Sequence, residues 1–349
     1  MRFRMEQWAR HLSGAGFTFR FEPFADEALH RTLYQPGHFL RKSALVMGAV
    51  ARRFRAIAQA RDYDAIFLHR EAALLGPAVL ERLLAMCRAP LIYDFDDPVW
   101  LPYRSPRNPF FGALKFHGKT AGICRLAGSV VVGNRLLAEY AARFSSNVHI
   151  VPSTVDLELY PQAERPLKRG VVTLGWTGSH STLPFFEPLL DTLRVLAQRR
   201  RFRLVVISDT DTYRAPSLAV EVISRKWRAA SEAADLADID IGLAPFPDSG
   251  WTPWRCHGKV LQYMAAGIPA VASNIGILPD YIEDGVTGYL PPDPAGWVER
   301  LEQLIDGSEL RAALGREART RVEQRYSAQV WAPRVGEILR SAARISGHA

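Results

Sequence analysis

The chain has little cysteine, no long apolar run and no surplus of acid. Only three cysteines occur in 349 residues, Cys87, Cys124 and Cys256, far apart and without a paired spacing. That argues against a disulfide framework and a structural zinc, and fits a reducing compartment. Each cysteine reads as a small buried hydrophobe. No apolar stretch is long enough to span a bilayer, and the opening residues do not read as a signal peptide. Acidic residues number 36 against 44 Lys and Arg, which leaves a net charge of +8. A basic balance of this kind has three explanations: nucleic acid, an anionic membrane or an anionic small substrate. No nucleic-acid module is present and the basic residues do not interleave regularly with aromatics, so nucleic acid is not an expected partner. At this length two domains are the expectation.

The most informative stretch runs from Trp251 to Leu290. Lys259 to Ala266 holds good helix formers and ends in Gly267, which suits a left-handed position after a helix. Pro269 keeps the helix from resuming. Ile268 to Ala272 then reads as a short buried strand, closed by the polar turn Ser273 to Gly276. Lys259 and Gln262 share a helix face. A lysine in the first turn opposes the helix dipole, and a bound anion would supply the reason for it.

A second candidate site precedes this one. An apolar strand, Val171 to Gly175, leads into Gly178, Ser179, His180, Ser181 and Thr182, followed by Pro184 and a helix reaching about Ala197. Glycines and hydroxyls between strand and helix describe an anion cradle. The plain alternative is a Ser or Thr cap. A third candidate is Asp94, Asp96 and Asp97, at the end of the predicted strand Pro90 to Phe95. The strand Asp64 to His69 before it, with a helix between, implies a parallel sheet. Carboxylates at the carboxyl end of such a strand lie where ligands bind. Crowding is expected to leave one of them protonated, and the alternative is an Asp-rich turn. His69, Arg70 and Glu71 end the neighbouring strand and should line the same cleft.

Around these sites the chain alternates strand and helix. Met1 to Leu12 reads as a helix and Phe17 to Phe21 as a strand. Phe39 to Arg61 reads as a helix with Leu40, Val46, Met47, Val50, Phe54 and Ile57 apolar and Arg41, Lys42, Arg52, Arg53 and Arg55 alongside. It either packs on a core or lies on an anionic membrane. Further strands are expected at Ser129 to Val132, Asn147 to Val151, Arg203 to Ser208 and Asp238 to Ala244, with a linker from Pro161 to Arg169. Trp251 and Trp254 either stack on a ligand or are buried.

The run from Gln262 through Met264, Gly267 and Pro269 to Ala272 resembles the donor-site signature of the retaining family-4 glycosyltransferases, the glycosyl transferases group 1. Asp284, Gly285 and Gly288 resemble the glycine turn that follows it. Tyr93 to Trp100 also looks like a variant group of these enzymes. The resemblance implies an α/β protein of the GT-B fold, two Rossmann-like domains facing across a cleft. Residues 1–160, completed by a carboxyl-terminal helix at 331–349, would hold the acceptor, and residues 170–330 the nucleotide sugar. Such enzymes open with a strand and a glycine loop. Here the sequence starts on the helix after them, so either the start lies upstream of Met1 or the domain lacks its central first strand. Arg2 and Arg4 would then sit near the cleft, or fray.

What the family implies for single residues follows. Its ribose-holding glutamate is replaced by Gln262, which hydrogen-bonds a hydroxyl without charge. A second glutamate would fall near Trp254 and is absent, while the variant group carries a lysine, as at Lys259. Asp96 takes the place of a histidine near the transferred sugar, with Asp97 beside it. Asp96, Asp97 and Lys259 are therefore the expected catalytic residues. Gly178, Ser179, His180, Ser181, Thr182, Lys259 and Gln262 would hold the nucleotide sugar. Lys259 and the helix starting near Thr182 would stabilise the leaving diphosphate, with no metal or other cofactor. The implied acceptor is a glycan, a lipid-linked sugar or a small molecule, met in the cytoplasm or at the inner face of the plasma membrane. Two other readings share the fold: a nucleotide-sugar epimerase and a non-catalytic nucleotide-binding relative.

Overall fold

The computed structural model describes residues 4–33, 35, 37–73, 76–102, 116–161 and 170–346. Most of the Pro161 to Arg169 linker, and Arg2, lie outside the described residues. The chain divides into two compact units. One comprises Trp8–Pro152 and the carboxyl-terminal residues from Ala332; the other comprises Ser153–Trp331 with the short segment that ends at Gln7.

The first unit holds a sheet in the order β1-β2-β3-β4, formed by β1 (Ile66–His69), β2 (Leu91–Phe95), β3 (Ser129–Val132) and β4 (Val148–Ile150), all parallel. Every residue of β2 and β3 is buried, as expected of strands covered on both faces. The helix Arg135–Ala141 starts where Asn134 caps it, its side chain accepting from the Leu137 amide at 2.9 Å.

One expectation fails in this unit. Phe17 to Phe21 is unpaired extended chain. Its rings stack on one another, Phe17 on Phe19 at 6.0 Å and Phe19 on Phe21 at 6.4 Å, and Arg20 bonds the Tyr63 hydroxyl. The helix Phe39–Gln59 forms, but Leu40 is 84% exposed, Met47 71% and Phe54 49%, while Lys42 is buried and donates to the Gln35 carbonyl at 2.6 Å. The periodicity gave the helix, and three of its six apolar members, Leu40, Met47 and Phe54, lie at the surface.

The second unit is a six-stranded parallel sheet in the order β10-β9-β8-β5-β6-β7. Its strands are β5 (Val172–Thr177), β6 (Phe202–Ser208), β7 (Glu221–Lys226), β8 (Ile241–Ala244), β9 (Ala270–Ala272) and β10 (Gly288–Tyr289). The chain builds outward from β5 through β6 to β7, then returns to the other side of β5 as β8. The strand order therefore reverses between β5 and β8, the point where open α/β sheets place ligands. Leu174, Trp176, Leu204, Val206, Ile241, Leu243 and Val271 form the core with Leu193, Leu196, Trp297 and Leu301 from the helices. Arg4 is buried in this unit and lies close enough to Tyr281 to act on its hydroxyl.

The helix Gly258–Ala265 ends at Gly267, which has φ +66°. Its outer side meets the helix Ser308–Arg325 at Gly315, where a Cβ would lie 2.2 Å from the Gly267 carbonyl oxygen. Arg319 donates to the Ala265 carbonyl and, at 2.6 Å, to that of Tyr160, so a cation caps the helix end.

A mid-helix glycine normally gains stability on replacement by alanine. At Gly315 the backbone contact reverses the sign. Gly315→Ala is expected to destabilise the fold by about 1–2 kcal/mol net of propensity, read as a lower thermal or denaturant midpoint. An unchanged or raised midpoint would show that the two helices are not in contact at this residue.

Candidate active site

The reversal point of the second sheet gathers most of the sequence-predicted residues. β5 ends in Trp176 and Thr177, and the loop Gly178 to Thr182 follows directly. β8 ends in Ala244 and leads to the loop before the Gly258–Ala265 helix. Gly242 in β8 admits that helix, because a Cβ there would lie 2.5 Å from the Tyr263 ring. Tyr263 crosses over it, and its hydroxyl accepts from the Thr177 amide at 2.9 Å. The helix start is thus tied to the end of β5.

Lys259 stands in the first turn of that helix. Its ammonium lies 4.5 Å from the centre of the Trp176 ring and 5.1 Å from that of Phe246. Both contacts favour a cation, but no carboxylate of the described residues pairs with it. Burial, with repulsion from Arg255, draws its pKa down from 10.5 to about 7. Arg255 itself stacks on Trp251, 4.6 Å from its ring, and Trp251 packs edge-on against Phe185. His257 precedes the helix with φ +41°, packed 4.2 Å from the Phe246 ring, and neither ring nitrogen has a hydrogen-bond partner. Burial, then Arg255 and Lys259, lowers its pKa to about 3, so it is neutral. The Ser273 to Gly276 turn underlies this loop: Gly276 has φ +53°, and a Cβ would meet the Pro253 carbonyl oxygen at 2.0 Å.

The Gly178 loop also packs against Trp176. A Cβ on Gly178 would come within 2.5 Å of that ring and 2.7 Å of the Thr182 hydroxyl. The loop differs from expectation in two ways. The helix predicted to reach Ala197 is two pieces, Leu183–Phe186 and Leu189–Ala197, divided at Glu187 and Pro188. The amides of Thr182 and Leu183 are already bonded to the Ser179 carbonyl, so no long helix dipole points outward. Instead the amides of Ser179 and Ser181 are the ones with no acceptor among the described residues. The Ser179 and Ser181 hydroxyls lie 2.7 Å apart, and that of Thr182 donates to the Ser179 carbonyl at 3.0 Å. His180 turns toward β6, its ring and its amide both bonded to the Asp209 carboxylate.

Gln262 sits one turn beyond Lys259. Its amide nitrogen donates to Glu232 at 2.7 Å and lies 3.1 Å from the Tyr160 hydroxyl. Glu232, 7% exposed, also accepts from the Tyr160 hydroxyl and, at 2.8 Å, from the Trp227 indole. Sequence reading missed Glu232, because nothing local marks a carboxylate 30 residues before its partner.

Asp96 and Asp97 belong to the first unit, at the end of β2. The Arg70 guanidinium spans both, at 2.9 Å from Asp96 and 2.6 Å from Asp97. Asp94, fully buried, takes the His69 ring at 2.5 Å. Arg70 adopts φ +62° and donates its amide to the Asp94 carbonyl at 2.7 Å. The one guanidinium thus lies between the two carboxylates that the sequence crowds together. In return the two carboxylates raise the Arg70 pKa against the effect of burial. Lys119 braces the following loop, 3.3 Å from Glu71 and 3.4 Å from Glu81.

Comparison with known proteins bears on the fold and on the second unit. Residues 172–307 match the family described as Glycosyl transferases group 1. Spore coat protein SA of Bacillus subtilis (strain 168) is 40% identical over 83 residues, 23% of this chain and 21% of its own length. The D-inositol 3-phosphate glycosyltransferase of Paenarthrobacter aurescens (strain TC1) is 34% identical over 121 residues, 34% of this chain and 26% of its own. The matched stretches thus span about a quarter or less of these relatives. Among solved structures, Anabaena Alr3699/HepE with UDP and glucose superimposes with a TM-score of 0.63 at 18% identity, covering 91% of this chain and 90% of that one. Sucrose-phosphate synthase from Thermosynechococcus elongatus gives 0.63 at 16%, covering 85% and 78%. The fold is GT-B, an α/β fold of two Rossmann-like domains.

The Lys259 ammonium gives a stability test. Its folded pKa of about 7 lies below the ordinary 10.5, so the unfolded chain holds the extra proton between those values and stability rises with pH across them. Each unit of depression corresponds to about 1.4 kcal/mol, less here because part of the side chain meets water. Lys259→Met should therefore melt above wild type at pH 6 in phosphate-free buffer, with the advantage shrinking from pH 7 to 10. A variant that melts lower at pH 6 would mean the ammonium is well compensated in the empty site.

Proposed function

We propose that this protein is a glycosyltransferase of the hexosyl type, moving a sugar from a nucleotide-sugar donor to an acceptor with retention of configuration. The observation that carries the reading is the uncompensated Lys259 ammonium beside the Gly178 loop at the sheet's reversal point. A cation without a carboxylate among the described residues, on the same indole that the Gly178 loop packs against, is suited to a diphosphate. Anabaena Alr3699/HepE, of the same fold, has been solved with UDP-glucose, which supports a nucleotide sugar as the donor. As the glycosidic bond breaks, charge grows on the leaving diphosphate. Lys259 and the Ser179 and Ser181 amides would stabilise it, with no reorganisation during the reaction.

No metal is needed in this scheme, because the lysine supplies the positive charge. Diphosphate binding would also raise the Lys259 pKa again, holding it protonated in the complex. Gly178 permits the loop's approach, and His180 and Thr182 hold its shape. Gln262 would face the ribose with the oxygen its hydrogen bonds leave over. Asp96 and Asp97, oriented by Arg70, would position the acceptor and the transferred sugar. The acceptor is a glycan, a lipid-linked sugar or a small molecule.

Lys259→Ala is expected to fold and to lose about 100- to 1,000-fold in turnover, the usual effect of removing one preorganised donor to a developing anion. Wild type should transfer sugar from one member of a UDP-, GDP- and ADP-sugar panel in the presence of EDTA. Turnover by Lys259→Ala within tenfold of wild type would remove the lysine from the mechanism. Conversion of the donor sugar without any acceptor would favour an epimerase.

The helix Phe39–Gln59 supports peripheral binding to an anionic membrane, on the cytoplasmic face. Leu40, Met47 and Phe54 project beside the exposed Arg41, Arg52 and Arg55, the pairing that lays a helix into a headgroup layer. No helix among the described residues is long and apolar enough to cross a membrane. Vesicles with 30% phosphatidylglycerol should co-sediment the protein at low salt and release it at high salt. The triple variant Leu40→Ser, Met47→Ser, Phe54→Ser should not bind them. Equal sedimentation of that variant would end the idea.

A further inference from the structure

His69 closes β1 and lies opposite Asp94 of β2 in the parallel register. The two side chains meet, with Nδ1 of the ring 2.5 Å from Oδ2 of the carboxylate. Asp94 is fully buried, and the His69 side chain is 9% exposed. An ionised carboxylate only accepts, so Nδ1 carries the proton and the neutral ring keeps its lone pair at Nε2. That second nitrogen makes no hydrogen bond among the described residues. It faces Oδ1 of Asp96 at 3.7 Å, beyond bonding reach.

A histidine needed only for packing has no reason to aim its free nitrogen at a second carboxylate. Asp96 is already held by the Arg70 guanidinium at 2.9 Å, and its oxygen has lone pairs to spare. Two acceptors therefore stand side by side at the carboxyl end of the sheet, where ligands of open α/β sheets bind. What satisfies both is a pair of donors close together. Neighbouring hydroxyls of a sugar or polyol are such a pair, one for Nε2 and the next for Asp96. Of the two acceptors, the imidazole is the kind of group that takes a proton and gives it up again near neutral pH. A buried carboxylate behind the ring stabilises the imidazolium that results.

We propose that His69 is the base that removes the proton from the attacking hydroxyl of the acceptor, and that Asp94 is the positioning residue that fixes its tautomer and direction. The acceptor is then a vicinal diol, with the neighbouring hydroxyl on Asp96. The inference rests on the glycosyltransferase reading and deepens it. In the step, the hydroxyl proton passes to Nε2 and the freed oxygen bonds to the anomeric carbon. The bond from that carbon to the diphosphate oxygen breaks, and its electron pair leaves on the diphosphate. The imidazolium then returns its proton to water.

The test measures nucleoside diphosphate released from UDP-glucose, GDP-mannose and ADP-glucose, with glycerol in excess as a plain vicinal diol, by wild type, His69→Ala and Asp94→Asn. Wild type should turn over at least one donor. His69→Ala should lose about 100- to 10,000-fold in kcat with the donor KM within about threefold. Added imidazole should restore about tenfold or more of that loss, which a role in packing alone would not allow. Asp94→Asn should lose about 100-fold or more in kcat at unchanged KM and gain nothing from imidazole, because its ring is present in the wrong tautomer. The proposal is overturned if His69→Ala stays within about threefold of wild type, or if imidazole leaves its loss unchanged. Asp94→Asn at the wild-type rate would overturn the positioning role. An active wild type beside an equally active His69→Ala sinks the base alone. A wild type that releases nothing from any donor would overturn the base and the glycosyltransferase reading together.

Discussion

A single cation without a counter-charge sets the terms for the second unit. The Lys259 ammonium rests on the Trp176 and Phe246 rings, in surroundings poor enough in water to bring its pKa to about 7. Nearby features serve to keep it there. Gly242 lets the helix come down on the sheet, Tyr263 ties it to the end of β5, and Gly276 seats the loop before it. Arg319 and Gly315 hold the far end of the helix. The sheet reverses its strand order at this place, so the lysine occupies a crevice that the topology opens.

The two candidate clusters solve opposite electrostatic problems. In the first unit, two carboxylates crowd the end of β2 and share one guanidinium, with a third carboxylate below them bonded to a histidine. In the second, Arg255 stacks on an indole, His257 stays neutral and no carboxylate of the described residues pairs with Lys259. One cluster is internally compensated and suits neutral, hydroxyl-bearing ligands. The other is left unbalanced and suits a ligand that brings its own negative charge.

Much of this was legible in the residues because it is local. Gly267 and Pro269 mark a helix end by backbone stereochemistry alone, and the helix stops at Ala265. Continuous apolar runs such as Val130 to Val132 read as buried parallel strands for the same kind of reason. What was not legible depends on partners distant in sequence. Glu232 meets Gln262 and Tyr160 only through the fold, whereas the nearness of Arg70 to Asp96 and Asp97 followed from their neighbouring strands, and only their hydrogen bonds did not. The helix Phe39–Gln59 shows the limit of periodicity: an apolar stripe says that a face is uniform, not that it is inside. Pro188 was passed over as a helix residue, although it sits where the two short helices after β5 divide.

The contact between Lys259 and Trp176 also makes the protein its own optical probe. An indole's excited state moves charge across the ring, so a cation 4.5 Å from its centre shifts the colour of its emission. Removing that proton, or drawing the ammonium toward an arriving anion, alters the field at the ring. Trp176 therefore reports the occupancy and protonation of the crevice as a wavelength, with no label attached.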